Sequence, residues 1–267
     1  MKARSLVFDL FGDYLCTGGG EVRLRGLIAL MGCFGVPEAT VRVVVTRLRK
    51  EGWLASRRDG RETTYLLTDA AGHMLEEGQE RVFRRSEQAW DGRWHLVIYS
   101  VPETERAVRE QLRKKLSWLG YGPLSPSVWL SPHDRVDEVK LAVAQWSSVR
   151  MDLFSAASEG PQVDRAMAAR SWDLDELNRD YAELVAEFEP RLEHYSSGDL
   201  AGQDALVERT RLVGRYRESL YRDPELPVQL LPEDWAGWTA HKVFRQAHEL
   251  LREPAEECVA SLLSRTA

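Results

Sequence analysis

The chain has 267 residues and a mass of 30.5 kDa, which suits two or three domains. Its hydrophobic content of 43% is ordinary for a globular protein, and no window has the roughly 18 apolar residues that a membrane helix needs. Asp9 and Asp13 interrupt the apolar N-terminal stretch, which therefore lacks the unbroken apolar core expected of a signal peptide. Three cysteines, Cys16, Cys33 and Cys258, are an odd number without metal-type spacing. We therefore expect a cytoplasmic protein with no membrane partner.

Charge is distributed unevenly along the chain. The net charge is −6, yet residues 1–68 hold eleven basic and seven acidic residues, a net of +4. The segment Arg42–Arg61 alone has seven basic residues and two acidic ones. Because attraction to phosphates acts within about 8–10 Å, a local basic patch on an acidic protein is compatible with DNA binding.

The first 68 residues have an α-helical pattern followed by a hairpin pattern. Apolar spacing predicts helices over 4–15, 25–34 and 37–51, with a possible short strand over 21–24. Residues 53–58 and 62–68 are expected to be strands, joined by a two-residue turn at Asp59-Gly60. This order of elements is that of a winged helix-turn-helix.

The third helix is the most informative element. Val41, Val44, Val45 and Leu48 share one face, which we expect to be buried. The remaining faces carry small and basic side chains that suit a major groove, where arginine reads guanine and Thr or Val touches a thymine methyl. These residues are Ala39, Arg42, Val43, Thr46, Arg47, Arg49 and Lys50. The alternative is a solvated cationic face on a surface helix.

The hairpin supplies a second set of cations. Arg57, Arg58 and Arg61 flank its turn, where they would lie against phosphates or in the adjacent minor groove. A hairpin with ordinary charged edges is the alternative. The predicted DNA-binding set is Arg42, Val43, Thr46, Arg47, Arg49, Lys50, Arg57, Arg58 and Arg61.

The rest of the chain divides into a mixed segment and a helical one. After a helix over 69–88, residues 94–156 follow the order β-α-β-β-α-β, which is the ferredoxin-like pattern. From about residue 160 the pattern is helical, over 163–171, 173–195, 202–221, 234–252 and 254–264. The sequence therefore predicts an α+β protein with a winged-helix domain (1–88), a ferredoxin-like centre (89–158) and an α-helical effector or dimerisation domain (159–267).

Several separated strings resemble the PaaX family of phenylacetate-degradation repressors. The match is specific to about residue 158 and looser beyond. The strings are Ala3–Tyr14, Gly35–Arg42, Arg47-Leu48 with Gly52–Leu54, Gly60-Arg61 before Tyr65–Thr68, Trp90–Trp94, and the segment from Leu119–Gly122 to Val128–Pro132.

The resemblance implies a dimeric winged-helix repressor that binds a palindromic double-stranded DNA operator. It implies release by an aryl-acyl-CoA thioester such as phenylacetyl-CoA, which is an effector and not a cofactor. It places Arg42 and Arg47 on the recognition helix, and Arg58 and Arg61 on the wing. The effector pocket is not assigned by any motif.

Catalytic patterns are weak. The central segment also resembles small nuclease subunits of CRISPR adaptation, but its first strand ends without a carboxylate before Glu103. His241 and His248 are too far apart for a metal pair on one helical turn, and Gly18–Gly20 lacks a following Lys-Ser/Thr. We expect neither an enzyme nor a bound metal; the rivals are a scaffold that binds protein or RNA, and a CoA-thioester enzyme.

A cationic stripe on the predicted 202–221 helix has two interpretations. Arg211, Arg215 and Arg222 could clamp the phosphates of CoA. The preferred alternative is a solvated face with ion pairs, because Glu218 and Arg222 are four residues apart. Trp129, Trp235 and Trp238 could line a pocket, although large aromatic side chains usually lie in a core.

Overall fold

The computed structural model describes residues 2–16, 20–60, 62–83, 90–200 and 202–266. Over these residues the chain is a mixed α/β protein, mostly helical, with two antiparallel sheets. It divides into two compact units, one of residues 1–84, 181–221 and 236–267, and one of residues 85–180 and 222–235. The domain boundaries at 88 and 158 stay a prediction.

The bounds of the elements are as follows. The described α-helices are α1 (Ala3–Leu10), α2 (Leu24–Gly32), α3 (Glu38–Lys50), α4 (Asp69–Phe83), α5 (Arg106–Trp118), α6 (Val136–Val143), α7 (Pro161–Ser171), α8 (Leu174–Phe188), α9 (Leu192–Ser196), α10 (Gln203–Leu220), α11 (Gly237–Leu250) and α12 (Arg252–Ser264). The described strands are β1 (Glu21–Arg23), β2 (Leu54–Asp59), β3 (Glu62–Leu67), β4 (Trp94–Ser100), β5 (Gly122–Ser125), β6 (Val128–Ser131) and β7 (Arg150–Ala156).

The first unit is built on α1, α2 and α3 beside a three-stranded sheet. The strand order is β1-β3-β2, and every pair is antiparallel. The apolar side chains that α1, α2 and α3 bury against one another include Leu6, Leu27, Val41, Val45 and Leu48. Within each helix the buried residues recur at the spacing of a single helix face. The packing therefore agrees with the apolar spacing from which the helices were predicted.

The first strand of the hairpin extends one residue further than predicted. Asp59 pairs with Glu62 across β2 and β3, so Asp59 is the last residue of β2 and not the first residue of the turn. Gly60 has a φ of 58°, which glycine adopts without steric cost. The prediction that Asp59 is a turn residue is therefore wrong, because Asp59 continues the ladder of paired residues.

The predicted helix over 4–15 changes type within its length. It is a regular α-helix to Leu10 and continues as a π-helical turn over Phe11–Leu15. The side-chain amide of Gln79, on α4, donates a hydrogen bond to the carbonyl of Gly12 in that turn. A widened turn leaves carbonyl groups available to such outside donors, and insertions of this kind often occur at functional sites.

The second unit contains the four-stranded sheet. Its order is β5-β6-β4-β7, with β4 between its two antiparallel neighbours. Val97 and Tyr99 of β4 lie in one core with Leu112 of α5 and Val139 of α6. Where α7 packs on β5, a Cβ at Gly122 would lie 2.5 Å from Trp172, so only glycine allows this approach.

Charged groups from distant parts of the sequence meet inside the first unit. Asp9 pairs with Arg217 of α10, and Asp13 lies 2.9 Å from Arg209 on the same helix. Asp13 also lies 3.0 Å from Nε2 of His248. The two aspartates that interrupt the apolar N-terminal stretch therefore pair with C-terminal basic residues, and Asp9 is buried in doing so.

Candidate nucleic-acid interface

Helix α3 separates its apolar and polar faces as predicted. Val41, Val45 and Leu48 are buried, whereas Val44 is only half-buried. Val43 is the most exposed of the helix valines, at 68%. Pro37 precedes the first helical residue, and Glu38 lies in the first turn, where a carboxylate favours the helix dipole.

The outer side of α3 brings the predicted cations together. All six predicted α3 contacts are exposed: Arg42, Val43, Thr46, Arg47, Arg49 and Lys50. The rest of the described chain therefore leaves these six positions open to solvent. Their contact with DNA stays a prediction.

The arginines of α3 are held by weak local pairs. Arg42 donates from Nε and Nη2 to Glu38 Oε1, at 2.9 and 2.7 Å. A pair exposed like this one, four residues apart on a helix, is worth only about 0.3–0.5 kcal/mol, so a phosphate or a base edge can replace the carboxylate. The Thr46 hydroxyl donates to the Arg42 carbonyl at 2.7 Å.

The C-terminal end of α3 is tied to α1 through one carboxylate. Glu51 accepts from Arg47 Nε at 2.8 Å and from Arg4. These two guanidinium groups hold the pKa of Glu51 below its usual value. Among the described residues, Lys50 has no ion-pair partner.

The hairpin presents two described arginines to solvent. Arg57 lies 3.0 Å from Glu21 of β1, and Arg58 Nε donates to the Gly60 carbonyl at 3.2 Å. Arg49 reaches from α3 to Ser56 of β2 at 3.4 Å, so helix and hairpin meet at this point. Arg61, the third predicted hairpin contact, lies outside the described residues.

Sequence reasoning missed two further cations beside the hairpin. Arg23 and Arg25 lie 3.2 and 3.5 Å from Glu62, and Arg25 is well exposed. Their position follows from the pairing of β1 with β3, which sets Arg23 opposite Thr64. The possible strand predicted over 21–24 could have pointed to these two arginines. Local spacing, however, does not show that this strand pairs with β3.

The proposed phosphate clamp on α10 is already neutralised. Arg211 pairs with Glu187 at 2.5 Å and Arg215 with Glu183 at 3.1 Å. In the second unit Arg222 pairs with Glu176 at 3.3 Å and with Asp180. The ion-paired interpretation therefore describes these arginines, although their partners come from α8 and not from Glu218.

The remaining candidate sites take ordinary structural positions. His241 Nδ1 lies 2.8 Å from the Tyr216 hydroxyl, and Trp129 and Trp235 are buried. In the part of the chain that the structure describes, no three His, Cys, Asp or Glu side chains converge as metal ligands would. Glu103, the first carboxylate after β4, is held by Arg106 and Arg109, which lower its pKa.

Comparison with known proteins matches this architecture in three consecutive blocks. The family models "PaaX-like protein", "PaaX protein central Cas2-like domain" and "PaaX-like protein C-terminal domain" match residues 2–71, 87–168 and 172–261. A protein of Escherichia coli strain K12, "Transcriptional repressor PaaX", is 31% identical over 250 residues, which span 91% of this chain and 78% of that protein. The chain belongs to the PaaX family.

A solved structure extends the likeness beyond sequence. The uncharacterised protein Rv0674 from Mycobacterium tuberculosis superposes with a TM-score of 0.62 at 26% identity, over 99% of this chain and 98% of that one. The fold of this PaaX family member is thus shared over nearly its whole length. Of the helices described here, none is long and apolar enough to cross a membrane.

Proposed function

We propose that this PaaX family member is a DNA-binding transcriptional repressor and not an enzyme. The observation that carries the proposal is the outer side of α3, where Arg42, Val43, Thr46 and Lys50 project together to solvent. The name of the Escherichia coli relative, a transcriptional repressor, supports the same function. As a repressor it would act in the cytoplasm.

The proposed docking is that of a winged helix-turn-helix. The 13 residues of α3 form a rod about 20 Å long, which fits a major groove about 12 Å wide. Arg42 is positioned to read a guanine edge, and the exposed Val43 to touch a thymine methyl. Arg57 and Arg58 would lie on phosphates or in the neighbouring minor groove, where they contribute affinity more than sequence preference.

The proposal also includes a homodimeric state and a small-molecule effector. A homodimer would set two α3 helices on half-sites about 34 Å apart on one face of a palindromic operator. The strand order β5-β6-β4-β7 supports a ferredoxin-like centre, which often serves in pairing or in ligand sensing. An aryl-acyl-CoA thioester such as phenylacetyl-CoA would favour a dimer geometry that no longer matches the operator.

Fluorescence anisotropy tests this function directly. We expect tighter binding to a duplex from the protein's own promoter region than to a shuffled duplex of the same composition. Arg42→Ala should lose that preference, whereas Arg58→Ala should weaken both duplexes and reduce the log–log salt slope by about 0.9. Arg113→Ala is the matched control, because Arg113 is also a helix arginine, with a half-exposed side chain and a pair to a nearby glutamate, Glu110.

Three outcomes contradict the proposal. Equal affinity of the unchanged protein for promoter and shuffled duplex would exclude sequence-specific repression. Tighter binding to RNA or to a protein than to either duplex would favour a scaffold. Turnover of phenylacetyl-CoA would point to a CoA-thioester enzyme.

A further inference from the structure

A cleft in the second unit lies where the segment before β4 meets the start of α7. It has a volume of about 580 Å³, which is in the range of small-molecule sites, and its walls are mostly apolar. These walls come from three stretches of the chain, which are residues 90–92, residues 158–165 and Gln229. All three stretches belong to the second unit, so the cleft is a feature of that unit alone.

One wall of the cleft carries a buried carboxylate with an available oxygen. Asp164 is 6% exposed, and its Oδ1 accepts from Trp94 Nε1 at 2.7 Å. Its Oδ2 has no hydrogen-bond partner among the described residues and, unlike Asp9 Oδ2, is not sealed from solvent. Because Asp164 lines the cleft, the accessible part of this carboxylate faces it. Buried polar groups are nearly always satisfied in folded proteins, so Oδ2 is an acceptor for a donor in the cleft.

Trp90 supplies an aromatic surface to the same cleft. Its Nε1 donates to the Arg93 carbonyl at 3.0 Å, so the indole has no donor left for a ligand. The ring packs against Trp94, with centroids 5.3 Å apart and planes at 70°, and Trp94 is the residue that donates to Asp164. Half-buried Trp90 therefore offers the cleft only the surface of its ring, whose negative face attracts cations.

The charged groups around the cleft also favour a cation. Asp91 and Asp164 both line it, and Asp91 Oδ1 accepts from the backbone N–H of Arg93 at 2.9 Å. Arg165 is the cation among the lining residues; its side chain is exposed, and its Nε donates to the Gln229 carbonyl at 3.3 Å. An anion in the cleft would face two carboxylates, with one solvent-screened guanidinium to attract it. A ligand that donates hydrogen bonds and carries a positive charge suits these groups.

We propose that this cleft binds a small primary ammonium cation with an apolar body. The ammonium group donates to Asp164 Oδ2 and lies near the ring of Trp90, while the apolar walls take the body of the ligand. A charge-assisted hydrogen bond is roughly twice as strong as a neutral one, and the aromatic ring adds to the attraction of a cation. The site should therefore prefer an amine to an alcohol of the same shape. This binding activity goes beyond the proposed DNA binding and does not depend on it.

Indole NMR with three probes of similar size tests the site. The chain has nine tryptophans, and the Nε1–H of Trp94 is donated to the carboxylate that would hold the ligand. On titration with benzylamine, a cation at neutral pH, the Nε1–H signals of Trp90 and Trp94, assigned by Trp90→Phe and Trp94→Phe, should shift with a Kd on the order of 1 mM. Benzyl alcohol, which is neutral, and benzoate, which is an anion, should each bind at least about tenfold more weakly, a loss typical of one hydrogen bond to a charged group.

A matched pair of variants locates the site. Asp164→Asn removes the charge but keeps an oxygen that can accept from Trp94, and it should weaken benzylamine binding at least about tenfold. Asp152→Asn removes the same charge from an exposed aspartate of β7, in the same unit and outside the cleft, and should leave the Kd unchanged. Trp90→Leu keeps an apolar wall without the aromatic ring and should raise the Kd about threefold or more.

The outcomes that overturn the proposal are distinct. It fails if benzylamine leaves both indole signals in place, if benzyl alcohol or benzoate binds as tightly, or if the Asp164→Asn and Asp152→Asn proteins bind alike. An unchanged Kd for Trp90→Leu would overturn the part assigned to the ring. If Asp164→Asn does not fold, the comparison of the three probes on the unchanged protein decides. A failure of promoter binding would overturn the proposed function and leave this test of the cleft intact.

Discussion

The buried Asp9 makes folding stability depend on pH in a predictable direction. Its pKa is 3.8 when exposed and about 6 in the folded chain, chiefly because burial penalises the charged form. Arg217 opposes the shift, while Asp13 and Glu218 add to it. The folded state therefore holds a proton that the unfolded state has released. The stability from this proton is fully present below pH 4 and is lost as the pH rises through about 6.

The magnitude follows from the size of the shift. About two pKa units correspond to about 3 kcal/mol, and the side chain is 1% exposed, so solvent screens little of it. We expect the free energy of unfolding of the unchanged protein to fall by up to about 3 kcal/mol relative to Asp9→Asn between pH 4 and pH 7. Urea unfolding followed by circular dichroism at several pH values measures this difference.

A substitution at an exposed acidic residue serves as the control for the Asp9→Asn measurement. Glu257→Gln changes an exposed glutamate inside α12 of the same unit, and its pH profile should run parallel to that of the unchanged protein. The reasoning is refuted if the Asp9→Asn profile is also parallel. It is refuted as well if the unchanged protein gains stability over Asp9→Asn with rising pH, because the attraction of Arg217 would then outweigh burial.

Two further substitutions test the packing around the proposed interface and the sheet. Leu48→Ala removes a fully buried side chain of α3 and should lower the free energy of unfolding by about 2–5 kcal/mol, measured by urea unfolding. Val43→Ala on the opposite face should change it by less than about 0.5 kcal/mol. Gly122→Ala places a Cβ 2.5 Å from Trp172 and should destabilise the second unit by about 1–3 kcal/mol, seen as a lower Tm; an unchanged Tm would show that α7 does not lie this close to β5.

Local periodicity predicted the elements that carry the proposed function. Val41, Val45 and Leu48 recur at helical spacing, and the structure buries all three. The cations between them had to face outward, because a helix with one buried face leaves its other face to solvent. Position and exposure of the predicted α3 residues were therefore readable from the sequence, with Val44 only half-buried as the exception.

Contacts between residues far apart in the chain could not be predicted from the sequence. Asp9 and Arg217 are 208 residues apart, and no spacing rule links them. For the same reason Arg222 was matched to Glu218, since the α8 carboxylates of Glu176 and Asp180 reach it only after folding. The π-helical turn was equally hidden, because it accompanies a hydrogen bond from Gln79, another distant residue.

The central claim is that the outer side of α3 binds promoter DNA. Val43→Asp sets a negative charge at the middle of that side, and Val163→Asp sets the same charge at an exposed valine of α7. In anisotropy titrations with the promoter duplex, Val43→Asp should lower the affinity at least about a hundredfold with no change in Tm, because a carboxylate opposes the phosphate field. Val163→Asp should bind like the unchanged protein. Equal affinities of the two variants would contradict the account.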